Sequence, residues 1–405
     1  MVTKQEREKF RILWHSVAAF VRSGYGNLTR QVCSRLKQIY GYDIYVSAYY
    51  GIEPGGVLLI NDIPHIPSKA GRFGEISCIH YYKTLKANLA VLFSDPWAFD
   101  WFPSKLPHTM CAGPFDHVDY PEEIQAMVRG YTYRASPNKF QVNEWLKYDP
   151  PIEWTYLPHG VDTKVYTPMN KKECKKALGI PEDAFVIGSV AANSDKENRK
   201  GFTQSFKALK IFFDSHPDVN KNNFRIFLFT NPLDPRGLQL ELFLKKNGLR
   251  EISMLQNPMI FDTGIKDQEL ANIYNAFDVQ LYPSFREGWG LTITEAAACG
   301  IPSIGHDFSS MPEQIEGRGW LCKSSIRDHT TPINADTAIP DPYSIAKCIE
   351  EAYMKPDLLK KYSREARKFA LTLDWDDLVR DMWVPMLDNI VENVIHKSVE
   401  DRRIV

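Results

Sequence analysis

One feature constrains this chain more than any other. Short apolar runs alternate with amphipathic segments through residues 11–157, and the same alternation starts again near residue 184. Arg11–Ser16 (RILWHS) reads as a strand, and Gly26–Tyr40 follows with Leu28, Val32, Leu36 and Ile39 at helical spacing. Further strands are expected at Ile44–Tyr49, Val57–Asn61, Leu89–Phe93, Thr109–Phe115, Tyr131–Ala135 and Trp154–Leu157, with helices such as Pro121–Arg129 and Pro137–Lys147 between them. A βαβ alternation of this kind implies a mainly parallel sheet with helices on both faces.

The second series opens with a buried strand at Ala184–Val190. Helix Phe202–Phe213, strand Phe224–Phe229, helix Gln268–Phe277, strand Val279–Tyr282, helix Leu291–Ala298 and strand Pro302–Gly305 are expected in turn. The final stretch reads as helices Pro342–Tyr353, Pro356–Leu371 and Asp376–Val399. At roughly 150 residues per domain, 405 residues suit two such α/β units, divided near residue 166. Ligands of open parallel sheets bind beyond the strands' carboxyl ends, so a cleft between two such domains is the expected ligand site.

Composition excludes several functional classes. With 49 basic and 50 acidic side chains the net charge is -1, residues 1–160 carrying +2 and the remainder -3, so neither half is a basic nucleic-acid domain and an anionic ligand needs a local site. No apolar run approaches the ~20 residues of a spanning helix. The N-terminus, MVTKQEREKF, has no secretory apolar region. The cysteines, 7 in number and never in a CxxC pair, suit reduced, buried thiols rather than a zinc site. A cytoplasmic protein is expected, with a peripheral place at the inner face of a membrane left open.

The strongest motif is the string from Tyr282 to Pro302, YPSFREGWGLTITEAAACGIP. A strand runs into a turn carrying Glu287, Gly288 and Gly290, and a helix bearing Glu295 then opens. The glycines admit close approach of a ligand, and free amides at a helix start bind anions. Glu295 stands five residues beyond Gly290, roughly 7.5 Å along the axis at ~1.5 Å per residue. That layout suits a ligand with a phosphate group between two hydroxyl-rich rings. A second segment, Asn193-Ser-Asp195-Lys196-Glu-Asn-Arg199-Lys200-Gly201, follows a strand and precedes a helix, and its lysine can neutralise a diphosphate. Such charge runs are also common as plain solvated loops. A third, Ser23-Gly24-Tyr25-Gly26-Asn27, reads either as a helix entry capped by Ser23 or Asn27 or as a ligand turn.

The Glu287–Pro302 string resembles the EGxGLxxxEAxAxGxP signature, with its E-x7-E spacing, of the retaining GT-B glycosyltransferases of family 4 (glycosyl transferases group 1). Leu157–Asp162 is similar to the family's PNGVD junction, with His159 in place of asparagine, and Gly188–Lys200 to its first nucleotide-domain loop. The resemblance implies two Rossmann-like domains facing a cleft: 1–165 on the acceptor side, completed by a returning helix 376–405, and 166–375 binding a nucleotide-sugar. It implies transfer of a hexose from a UDP-, GDP- or ADP-sugar to an acceptor that the sequence does not identify, with no cofactor and no catalytic metal. The implied roles are Glu295 on the ribose hydroxyls and Glu287 beside the donor sugar and diphosphate. The amides of Gly288, Trp289, Gly290 and Leu291 fall on the distal phosphate or sugar, with Ser284 assisting. Lys200 falls on the diphosphate, with Arg199 compensating for Asn193, which stands where the family has arginine. Gly24, Tyr25 and Gly26 form a turn near phosphates and acceptor, and either Asp116 or His117 faces the donor sugar. Loop Asn257–Gly264 is the candidate for contacts with the base.

Two other patterns are set aside. Asp374-Trp375-Asp376 mimics a DxD metal motif but precedes a helix, where an aspartate serves as a cap. Gly24-x-Gly26-x-x-Thr29 lacks the tight strand–turn–helix of a dinucleotide fingerprint. His80, His108 and His159 read as structural. The rival readings are a non-catalytic nucleotide-sugar-binding protein, favoured by Asn193, and an epimerase or phosphorylase of the same fold, for which no extra acid/base pair or cofactor lysine stands out.

Overall fold

The computed structural model of the protein describes residues 2–401. Met1 and the last four residues of the expected returning helix, 402–405, lie outside the described residues. The described chain divides into two compact units: 2–115, 120–159 and 375–401 form the first, 116–119 and 160–374 the second. The expected divisions are at 165/166 and 375/376, and the contacts place them at 159/160 and 374/375.

The first unit is built on eight strands: β1 (Arg11–Val17), β2 (Asp43–Tyr50), β3 (Leu58–Ile60), β4 (Ile63–Pro67), β5 (Leu89–Leu92), β6 (Thr109–Cys111), β7 (Tyr133–Ser136) and β8 (Thr155–Tyr156). They lie in the order β3-β4-β2-β1-β5-β6-β7-β8. Every pairing is parallel except the edge hairpin β3–β4. The central strands are buried along their length, as the unbroken run LAVL of β5 requires. Helix Gly24–Gln38 buries Leu28, Val32 and Leu36 on one face, and the Ser23 side chain caps it by accepting from the Gly26 N–H. Because β2 lies on one side of β1 and β5 on the other, the strand order reverses at β1/β5.

Thr109–Phe115 is a shorter strand than its apolar run predicts, ending at Cys111. The cause is Gly113-Pro114. A Cβ on Gly113 would stand 1.8 Å from the Ser94 carbonyl oxygen, and proline supplies no N–H to a ladder. Asp116 and His117 are therefore not at a strand end but in a loop beyond it. That loop belongs to the second unit: Val118 N–H donates to Asp336 O at 3.0 Å and Asp336 N–H to Val118 O at 2.8 Å.

The second unit holds β9 (Phe185–Val190), β10 (Phe224–Phe229), β11 (Ser253–Leu255), β12 (Val279–Tyr282), β13 (Ser303–His306) and β14 (Trp320–Cys322), in the order β11-β10-β9-β12-β13-β14. All five pairings are parallel. Here the order reverses at β9/β12. An antiparallel hairpin, β15 (Ser324–Thr330) and β16 (Asp336–Pro340), follows. It was not expected, because SSIRDHT is polar and lacks an apolar run.

The C-terminal run Trp375–Leu378, a π-helical turn Val379–Trp383 and Val384–Asp401 belong to the first unit. Arg7 and Tyr42 both bond Asp388, at 2.8 and 2.6 Å, and Arg35 bonds Asp376 at 2.7 Å. The Trp383 ring packs 5.7 Å from that of Trp14. Asp374 accepts from the Thr163 hydroxyl, so the two aspartates of the DxD mimic have separate partners. Among the described residues no helix is long and apolar enough to cross a membrane.

Candidate functional site

The reversal of strand order at β9/β12 brings two loops together. The loop after β9 carries Arg199 and Lys200; the loop after β12 carries Glu287. In an open α/β sheet this crevice is where a ligand binds. The Lys200 ammonium contacts Glu287 Oε1 and donates to the Tyr282 hydroxyl at 2.5 Å. Tyr282 in turn donates to Glu287 Oε1 at 3.0 Å. Arg199 Nη1 reaches the same carboxylate oxygen at 3.1 Å and the Arg286 carbonyl at 3.0 Å. Two cations thus converge on one carboxylate that is itself buried.

Gly201 makes this approach feasible. Its φ is +70°, and a Cβ there would lie 2.2 Å from the Pro283 carbonyl oxygen. Backbone hydrogen bonds lock the two loops: Phe285 N–H donates to Arg199 O at 2.7 Å, and the Ser284 hydroxyl bonds the same carbonyl at 2.9 Å. Behind the glutamate turn, Ser309 accepts from Glu287 N–H at 2.9 Å, and Ser310 bonds the carbonyls of Glu287 and Trp289 at 2.8 Å each. His306, buried with Nδ1 3.2 Å from the carbonyls of Ser284 and Phe285, supports the turn from below. Burial brings its imidazole down to about 4, so it stays neutral at pH 7.

The electrostatics follow from burial plus proximity. Burial and then the Arg199 charge pull the Lys200 ammonium down to about 8, against Glu287. Burial opposes ionisation of Glu287, but Lys200 and Arg199 outweigh it and hold the carboxyl below its ordinary value. Helix Leu291–Ala298 opens behind Gly290, whose φ is +93°. Of its first-turn N–H groups, that of Ile293 donates to Gly290 O at 2.9 Å. Glu295, on this helix, is buried and accepts from the Tyr274 hydroxyl at 2.8 Å. Burial pushes its carboxyl up to about 8 despite that bond.

Asp116 and His117 pair with each other, Asp116 Oδ1 lying 2.8 Å from His117 Nδ1. Arg286 Nε stands 3.9 Å from Asp116, and its Nη2 3.7 Å from Glu197. Burial works against ionisation of Asp116, yet His117, Arg286 and Arg199 keep its carboxyl well below the ordinary range. Arg286 is therefore a member of the cluster that sequence reasoning passed over, although it adjoins Glu287. Tyr282 was passed over as well; its hydroxyl at a strand end was the available signal. Ser309 and Ser310 gave none.

Other expected residues have different surroundings. Asn193 is not turned to the cations: its side chain donates to Leu238 O at 2.9 Å and accepts from Leu238 N–H at 2.8 Å, tying down the loop after β10. Gly24, Tyr25 and Gly26 form the first turn of the capped helix in the first unit, where the Tyr25 hydroxyl donates to Asp95 at 2.7 Å. Gly26 is required there, since a Cβ would lie 2.1 Å from Val21 O. Within loop 257–264 a short helix, Met259–Thr263, forms, and Phe261 packs 5.2 Å from Phe229. His159 is buried against Phe93.

Comparison with known proteins agrees with this geometry. Residues 170–369 match the sequence model of the family described as glycosyl transferases group 1. The D-inositol 3-phosphate glycosyltransferase of Acidothermus cellulolyticus is 22% identical over 335 residues, which is 79% of this chain and 68% of that protein. The protein of the same name from Stackebrandtia nassauensis is 28% identical over 258 residues, 57% of this chain and 53% of its own length. That from Paenarthrobacter aurescens is 25% identical over 221 residues, 54% and 47%. The chain thus spans about half the length of the last two. Among solved structures, sucrose-phosphate synthase from Thermosynechococcus elongatus superposes with a TM-score of 0.73 at 15% identity, covering 95% of this chain and 100% of that one. Anabaena Alr3699/HepE, solved in complex with UDP and glucose, gives 0.69 at 12% identity over 94% and 100%. These likenesses establish the fold, GT-B.

Proposed function

We propose that this chain, whose residues 170–369 match the model of glycosyl transferases group 1, moves a hexose from a nucleotide-diphosphate sugar to an acceptor with retention of anomeric configuration. The observation that carries the reading is the convergence of Lys200 and Arg199 on Glu287 at the β9/β12 reversal. Two part-buried cations sharing one buried carboxylate leave positive charge for a diphosphate. In the reaction the bond between the anomeric carbon and the diphosphate oxygen breaks, and the leaving group gains negative charge. Lys200 and Arg199 stabilise that charge more than the ground state, which lowers the barrier. The acceptor oxygen bonds to the anomeric carbon on the same face, and its proton passes to the departing phosphate oxygen.

In this reading Glu287 orients the cations and meets the donor sugar, while the amides of Gly288, Trp289, Gly290 and Leu291 take the distal phosphate or sugar. Glu295 accepts from the ribose hydroxyls. Ser284 holds the cation loop to the glutamate turn, and Asn193 holds the adjoining loop. The Asp116–His117 pair lies toward the donor sugar. The cations carry the leaving-group charge, so turnover is expected to persist in EDTA. Alr3699/HepE has been solved in complex with UDP-glucose, and the reading extends a ligand of that class to the present chain.

Calorimetric titration with UDP, GDP and ADP tests the reading. One of the three should bind, and above pH 8, where the Glu295 carboxyl is ionised, Glu295→Ala should weaken it by ~1.5–3 kcal/mol, the worth of a hydrogen bond to a charged group. Unchanged affinity in the variant would remove Glu295 from the site. Binding without any turnover of the matching nucleotide-sugars would favour the non-catalytic reading.

A further inference from the structure

The sheet of the first unit ends on one side in β3, an outer strand with β4 alone beside it among the described residues. It is apolar and bare. Val57 is 56% exposed, Leu58 46% and Leu59 67%. Leu58 and Leu59 point to opposite faces of the strand, so both faces of the hairpin stand clear of the core. Outer strands are commonly guarded against pairing by a lysine, a proline or a bulge. Val57-Leu58-Leu59-Ile60 carries none of them.

The hairpin fixes which backbone groups face outward. Asn61 and Asp62, with φ of +50° and +61°, form the two-residue turn between Ile60 and Ile63. Such a turn makes Ile60 and Ile63 a mutually hydrogen-bonded pair, and bonded and unbonded pairs alternate along the ladder. Leu58 with His65 is then bonded, and Leu59 with Pro64 is not. Pro64 has no N–H to give in any case. The Leu59 N–H and C=O therefore point away from β4, to the open side. Asn61 Nδ2 donates to the Ser34 hydroxyl at 2.9 Å, which ties the turn to helix Gly24–Gln38 and holds the strand in shape.

We infer that β3 is the seat of a two-fold contact with a second copy of this chain, the two strands pairing antiparallel through Leu59. With Leu59 opposite itself, the Leu59 N–H of each copy donates to the Leu59 C=O of the other, Leu58 faces Ile60, and Val57 faces Asn61. Asp62, the acid nearest the strand, faces Gly56 and meets no like charge. The next charged residues, Glu53 and Lys69, neutralise each other at 3.3 Å. A second copy suits this edge better than a loose peptide. So short an edge offers too little to offset the ordering of a disordered segment, whereas a second copy brings a strand already formed. One patch meeting itself is also how closed two-fold dimers are built. The contact is small, so the dimer is weak and concentration-dependent. None of these residues belongs to the proposed donor site.

Sedimentation velocity of the full chain from about 1 to 100 μM, a range that brackets weak association, tests this together with oxidative cross-linking. The weight-average sedimentation coefficient of the wild type should rise with concentration. Leu59→Lys sets two ammonium groups opposite each other. At so exposed a position it should leave Tm unchanged, while the chain sediments as a monomer throughout. Mild oxidation reads the register. Opposite residues of a bonded pair have Cα atoms about 5.5 Å apart, within disulfide reach, and every native cysteine is buried. Leu59→Cys should therefore give a disulfide-linked dimer, and Leu58→Cys, which faces Ile60, at least tenfold less of it. A wild type that stays monomeric, a Leu59→Lys variant that still dimerises, or cross-linking at Leu59→Cys no stronger than at Leu58→Cys would overturn the inference.

Discussion

At the scale of single residues, the site is set by what burial does to charge. Lys200 and Glu295 are both displaced toward about 8, from opposite directions and for the same reason: a buried group resists its charged form. Lys200 is charged below its pKa, and Glu295 is charged above its own. The account needs both charges, one for the diphosphate and one for the ribose hydroxyls. Donor hydrolysis should therefore show a bell-shaped kcat/KM profile, rising as Glu295 ionises and falling as Lys200 loses its proton. Glu295→Gln should flatten the acidic limb, and Lys200→Arg should move the alkaline limb to higher pH. A profile whose limbs ignore both substitutions would contradict these assignments. Much of this was readable beforehand, since Glu287, Glu295, Arg199 and Lys200 stand in recognisable strings. Their convergence was not, because Lys200 and Glu287 are 87 residues apart and only the strand order joins them. The bonds that Asn193 makes were not readable for a related reason. Nothing local announces that Leu238 will consume its amide.

At the scale of elements, the turns decide where the chemistry lies. Val279–Tyr282 and Leu291–Ala298 match their apolar patterns end to end, because Asp278 and the glycines around Gly290 bound them sharply. Thr109–Phe115 did not, because an apolar run does not show that Gly113 must pass against Ser94. The polar hairpin β15–β16 carried no periodic signal at all, yet it anchors the loop holding Asp116 and His117. The turn at Gly201 is the element most open to test. Alanine there meets both a left-handed backbone and the Pro283 carbonyl, whereas Gly179, at φ +68°, has nothing within 4 Å of a Cβ. Gly179→Ala should cost only the left-handed penalty, about 1–2 kcal/mol. Gly201→Ala should cost more than that and should lower donor turnover as well. Equal costs by denaturant unfolding, or full turnover in Gly201→Ala, would show that the two loops need not lie so close.

At the scale of the whole molecule, two parallel sheets repeat one design, and the chain returns at its end to complete the first unit. The repeat was visible as a restart of the βαβ pattern. The return was implied only by family likeness, since a sequence does not show which unit a final helix joins. Asp388 ties that helix to Arg7 and Tyr42, so Asp388→Ala should destabilise the protein by ~1.5–3 kcal/mol, as for lost bonds to a charged group. Asp381→Ala, which removes an exposed partner of Arg380, should stay within about 0.5 kcal/mol. Equal effects in denaturant unfolding would mean that the helix is held by packing alone. The central claim, that the paired cations at the β9/β12 reversal drive departure of a nucleotide diphosphate, is tested most directly by acceptor-free hydrolysis. Nucleotide release from a panel of UDP-, GDP- and ADP-sugars should be measurable for the wild type. Lys200→Ala should slow it at least tenfold, or ~1.4 kcal/mol of barrier, when both proteins are assayed at a temperature where the variant is folded. Hydrolysis by Lys200→Ala at the wild-type rate would contradict the account.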